Sequence, residues 1–211
     1  MKYKREEAVS NLYETSKSST GKAMLSVSTD KYEVYHLDLI KEKFCEYYRH
    51  SDKIKSCDAY YYDFHNHLIM EFKNAHHMKL KDYYGEIEIK LLDTHMLCRE
   101  NFWKSKKLNA ILNNVKVVVV YNDALNNGEG VNRIADSLNQ MRPLQGDSCR
   151  HTKALSQFSS EEEFQDKVNN TKKKYEKEFY QEIEFIDKKE FEKRYVDTGY
   201  FSKLENWAEV E

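Results

Sequence analysis

A chain of 211 residues and 25.3 kDa is long enough to bury a sizeable core within one domain. One third of its residues are charged, yet the formal net charge is only -2. A polyanionic partner would therefore have to be met by a local patch, because the overall field neither attracts nor repels one. No apolar run approaches the length of a membrane span, and the N-terminal MKYKREEAVSNLYETSKSS has no apolar signal-like stretch. Cys45, Cys57, Cys98 and Cys149 form no CxxC or CxxH pair, which argues against a zinc finger and against a disulfide framework. The expectation is a cytoplasmic protein with no membrane partner.

In chain order, residues 1–30 form a polar segment, expected to be mobile, with a short helix at Arg5–Thr15. KYEVYH (31–36) reads as a strand. Asp38 has the character of an N-cap for a helix over Leu39–Arg49, with Ile40, Phe44, Tyr47 and Tyr48 as its apolar stripe. Glu42 and Glu46 lie four apart on that helix and share a face. They are either solvated surface or a source of one further acid for a site.

The stretch SCDAYYYDFHNHLIMEFKN (56–74) has the pattern of a β-hairpin: two aromatic and aliphatic runs separated by His65-Asn66. A turn centred there sets Asp58 against Lys73, Tyr60 against Glu71 and Tyr62 against Ile69 on one side of the hairpin. Ala59, Tyr61, Leu68, Met70 and Phe72 fall on the other, more apolar side, together with Asp63. The alternation thus selects Asp58 over Asp63 as the partner of Glu71. Two acids and a lysine gathered in this way form either a plain cross-strand ion pair or a compact site for a divalent metal.

AHHMKLKDYY (75–84) reads as a polar connection, and its adjacent His76 and His77, like His65 and His67 near the turn, read as polar loop residues. A helix is expected over Tyr84–Phe102, with Ile87, Leu91, Ile89, Leu92 and Met96 covering a broad apolar face. Lys90 and Asp93 on it are a surface ion pair, or else Lys90 reaches the site or a phosphate. VKVVVVY (115–121) is an unbroken apolar run of the kind a strand buried on both faces shows. Residues 131–142 read as a helix, 143–160 as irregular and 161–180 as a charged helix with lysines at 172–174. A strand over 181–186 and a helix over 187–196, capped by Asp187, follow. The order predicts an α/β fold: a mixed central sheet flanked by helices, with its core at 31–142 and a C-terminal strand–helix extension at 143–211 packed on it.

Asp58, a gap of twelve residues and then Glu71-Phe72-Lys73 on the second hairpin strand resemble the PD-(D/E)XK nuclease-like superfamily. The flanking helices and the buried strand resemble its common restriction-endonuclease-like core over about residues 31–122. The EFKN wording and the ending QEIEFIDKKEFEKRYV are similar to small bacterial proteins carrying that core, although Cys57 stands where the pattern often has Pro. The resemblance implies a nuclease. Asp58 and Glu71 would hold Mg²⁺ or Mn²⁺ with the backbone carbonyl of Phe72, Glu42 or Glu46 would complete the acidic cluster, and Lys73 would act on the attacking water. The implied partner is DNA or RNA. A homodimer is one candidate assembly, because nucleases that cut both strands often pair. The alternative is a nuclease-fold binding or regulatory module without catalysis.

Overall fold

Four consecutive valines leave neither face of a strand suited to water, so both faces of the strand at 115–121 must be covered. A computed structural model describes residues 5–18, 20–48, 54–63, 66–103, 114–126 and 148–201. That strand lies inside a six-stranded sheet whose order follows the chain: β1 (Val9–Asn11), β2 (Glu33–His36), β3 (Ala59–Tyr62), β4 (His67–Lys73), β5 (Val115–Tyr121) and β6 (Glu182–Asp187). The pairs β1–β2, β2–β3 and β3–β4 are antiparallel, whereas β4, β5 and β6 are mutually parallel. Parallel neighbours need long crossovers. Helices α3 (His77–Leu80) and α4 (Tyr84–Asn101) lie in the first, and α5 (Ser148–Tyr175) lies in the second. The chain is an α/β protein with a mixed sheet flanked by helices.

Alternation along the strands divides the core in two. Tyr60, Ile69, Val117 and Val119 pack with Leu37 and Ile40 of α2 (Leu37–Tyr48), with Ile87, Leu91 and Cys98 of α4, and with Tyr175 and Tyr180. On the opposite face Ala59, Tyr61, Leu68, Met70, Val118 and Val120 meet Leu12, Met24, Leu25, Phe191, Tyr195 and Phe201. The first face also carries a buried polar relay, in which Trp103 Nε1 donates to the Tyr60 hydroxyl at 3.1 Å and that hydroxyl stands 2.6 Å from His67 Nδ1. Its members satisfy one another, as buried polar groups must.

Several expectations change. Residues 9–11, expected in a mobile segment with a helix over 5–15, form the edge strand β1 (Val9 pairs with Tyr35), and α1 is only Leu12–Thr15. Burial of Leu12, Met24 and Leu25 beneath the sheet ties this segment down. On α4 Tyr84, Ile87, Leu91, Thr94, Leu97 and Cys98 are buried, while Ile89, Leu92 and Met96 are exposed on the other side of the helix. Helix α2 begins at Leu37, so Asp38 lies in its first turn and serves as a partner of Lys41 and Ser56. Asp187 does cap α6 (Lys188–Phe191), accepting from the amides of Lys189 and Glu190. Helix α5 already runs from Ser148, where irregular chain was expected, and β6 pairs with β5 from Lys116–Glu182 to Tyr121–Asp187. The C-terminal region is therefore an integral part of the sheet. The helix expected over 131–142 and the turn residue His65 lie outside the described residues.

Candidate functional site

The register of the hairpin decides which charges meet. Tyr60 faces Ile69 and Tyr62 faces His67, a shift of two residues from the expected pairing. An even shift leaves every side chain on its expected face. It brings Asp58 to the two neighbours of Glu71 instead of to Lys73: the Asp58 amide donates to Met70 O at 3.0 Å, and Asp58 Oδ2 accepts from the Phe72 amide at 2.6 Å. Asp58 thus bridges the two neighbours of Glu71. In an extended strand the N–H and C=O of one residue point to the same side. The Phe72 carbonyl therefore also turns toward Asp58, beyond the end of β3.

The approach to Asp58 is fixed from two helices. The Lys55 amide donates to Asp93 Oδ2 and the Cys57 amide to Thr94 Oγ1, both at 2.8 Å, from α4. Ser56 Oγ donates to Asp38 Oδ1 at 2.7 Å, from α2. Asp93 therefore orders this segment and is not the partner of Lys90.

Helix α4 also contributes Glu86 and Lys90, one turn apart. Lys90 Nζ lies 2.8 and 3.0 Å from the two oxygens of Glu71 and 3.6 Å from Asp58 Oδ1. Lys73 Nζ stands 3.1 Å from Glu71 Oε1 and 3.1 Å from Glu86 Oε1. The Glu71 side chain is 1% exposed and that of Asp58 is 19% exposed. Among the described residues three carboxylates face two ammonium groups, and Asp58 is the acid left without an ammonium at hydrogen-bond distance. Burial, and then the charge of Glu71, push the Asp58 carboxyl up to about 8, against the smaller opposing pull of Lys90. Burial would lower both lysines, but Glu71 together with Asp58 for Lys90, and Glu71 with Glu86 for Lys73, more than offset it, so both are raised and stay charged at neutral pH. Burial would raise Glu86, yet its hydrogen bond from Lys73 leaves it below the usual range.

This arrangement fits a small divalent cation. Its donors are hard oxygens, they converge from two strands, and one carboxylate is too little neutralised to stay ionised by itself. Asp58, Glu71 and the Phe72 carbonyl could hold the ion, once Lys90 gives way at Glu71. Glu42 and Glu46 are exposed on α2. The acid of that helix whose charge reaches Asp58 is Asp38.

A second group of ligand-type side chains lies at the carboxyl ends of β4 and β5. Lys73 pairs with Tyr121, and the chain beyond stays together through Asn122 N to Ala75 O and Asn122 Nδ2 to Asn74 Oδ1, each 2.9 Å. His76, His77 and Asp123 thereby come within 4.8 Å of one another. Read as loop residues in the sequence, the histidines carry one signal that could have marked them: they follow a strand whose parallel neighbour is itself followed by an aspartate.

Among known proteins, no family model, no curated protein and no solved structure matches the chain. No helix among the described residues is long and apolar enough to cross a membrane.

Proposed function

We propose that the protein is a divalent-metal-dependent nuclease of the cytoplasm that hydrolyses phosphodiester bonds in DNA or RNA. The observation that carries this reading is the under-neutralised Asp58 beside the buried Glu71, with Lys73 on the same strand face. When bound, Mg²⁺ or Mn²⁺ supplies Lewis-acid stabilisation of the phosphate charge and acidifies a water. Asp58 and Glu71 would hold the ion, with the Phe72 carbonyl as a further oxygen donor. Lys73, kept as an ammonium between Glu71 and Glu86, orients the attacking water and the phosphate by hydrogen bonding and charge. It is not the general base, because a lysine with a raised pKa keeps its proton at neutral pH. Lys90, which contacts both oxygens of Glu71, would leave that carboxylate to the ion and offer its charge to the phosphate.

The bidentate contact of Lys90 with Glu71 favours a second reading, in which the same charges are a structural network tying α4 to the sheet of a non-catalytic binding module. Incubation of labelled single- and double-stranded DNA and RNA with Mg²⁺ or Mn²⁺ separates the two. Cleavage that requires metal and disappears in both Glu71→Gln and Lys73→Ala supports the nuclease. Absence of cleavage on all substrates and with both metals, in protein that is folded by circular dichroism, leaves the second reading.

A further inference from the structure

His77 stands between two carboxylates from different elements. Its Nδ1 is 2.8 Å from Asp123 Oδ1, after β5, and its Nε2 is 2.7 Å from Glu161 Oε2, on α5. The His77 amide also donates to Asp123 Oδ1 at 3.1 Å, and His76 Nε2 lies 3.5 Å from that same oxygen. The two imidazole rings are 4.1 Å apart, centroid to centroid. We propose that His76 Nε2, His77 Nδ1 and Asp123 Oδ1 form a second metal site, for a transition metal of the Zn²⁺ class, with Glu161 orienting His77.

Ligand atoms about 2.0–2.1 Å from a tetrahedral ion are roughly 3.3 Å from one another. The His76–Asp123 separation of 3.5 Å already has that length, and the His77–Asp123 separation of 2.8 Å needs to open by only about half an ångström. A His ligand that binds through one nitrogen commonly donates its other N–H to a carboxylate, which fixes ring and tautomer. Glu161 occupies that position on His77. Two imidazoles and one carboxylate select Zn²⁺, Co²⁺ or Ni²⁺ over Mg²⁺ or Ca²⁺, unlike the all-oxygen set at Asp58 and Glu71. Three protein ligands leave a fourth position for water on the solvent side, where Asp123 is 38% exposed.

The site joins three parts of the fold. His76 and His77 lead into α3, Asp123 follows β5, and Glu161 lies on α5 near Phe164, whose ring is 5.3 Å from that of His77. Phe164 and Val168 pack with Leu80 and Tyr84 in a small apolar cluster. A bound ion would therefore clamp α5 over the ends of the two parallel strands.

The test is titration of metal-free full-length protein with Co²⁺, followed by displacement with Zn²⁺. The expected result is the visible absorption of a tetrahedral N/O site that saturates at one equivalent of Co²⁺ in that site and is bleached by Zn²⁺, with a rise in Tm with Zn²⁺. His76→Ala and Asp123→Asn should each weaken binding at least a hundredfold, and Glu161→Gln by roughly ten- to a hundredfold. Glu71→Gln should leave it unchanged, so this result is independent of the nuclease reading. No absorption at millimolar Co²⁺ would overturn the proposal. So would absorption that persists in both His76→Ala and Asp123→Asn, or that is lost in Glu71→Gln.

Discussion

Binding of Mn²⁺ at Asp58 and Glu71 should expel a proton, and the amount follows from the site. With its carboxyl pushed up to about 8, Asp58 is largely protonated at neutral pH. Metal binding at pH 7 should therefore release a proton. The ionised fraction of Asp58 rises steeply between pH 6 and pH 8, so Mn²⁺ affinity should grow by roughly ten- to a hundredfold over that interval and level off once the carboxyl is ionised. The same shift destabilises the metal-free fold as pH rises. The folded pKa lies above the unfolded value near 4, so the folded protein holds the extra proton between about pH 4 and pH 8 and loses stability across that window, on the order of a few kcal/mol. Asp58→Asn should abolish both the pH slope of stability attributable to this group and the proton release. Calorimetry in two buffers of different ionisation enthalpy reads the proton count directly. Mn²⁺ binding with no proton release, or with the same pH slope in Asp58→Asn, would refute the reasoning.

Lys90→Met should destabilise the metal-free protein by about 3 kcal/mol, because Glu71 loses its principal partner in a buried position. It should nevertheless raise Mn²⁺ affinity, since it removes the competing ammonium; urea unfolding with and without Mn²⁺ reads both effects. Thr94→Val leaves the buried Cys57 amide without its acceptor and should cost about 1–3 kcal/mol, with weaker Mn²⁺ binding because Asp58 is the next residue. Leu91→Ala should cost about 2–5 kcal/mol in denaturant unfolding, whereas Leu92→Ala, one position along but on the exposed face, should stay within about 0.5 kcal/mol.

The fold class was legible because period and burial agree at its centre. The valine run of β5 has the look of a strand covered on both faces, and the alternation at 58–73 put Asp58, Glu71 and Lys73 on one face for any turn shifted by an even number of residues. The register was not legible. Without a glycine at the turn, nothing local distinguishes pairings two residues apart, and tertiary packing of Tyr60 and Ile69 against α4 accompanies the observed one. Edge strand β1 escaped notice because it is three residues long and held by Leu12, Met24 and Leu25, whose burial no local pattern reveals. The lysine of the site was half legible. Lys90 was visible as a helix residue able to reach inward, but its pairing with Glu71 depends on how α4 lies on the sheet. Asp38 was misassigned for a similar reason, since its charge is drawn from the cap position to Lys41 and Ser56.

The most direct test of the central claim is a crystal of the full chain soaked in Mn²⁺, with anomalous scattering recorded. A peak is expected about 2 Å from a carboxylate oxygen of both Asp58 and Glu71, with Lys90 withdrawn from Glu71. A saturating soak that leaves Lys90 on both oxygens of Glu71, with no peak between the two acids, would contradict it.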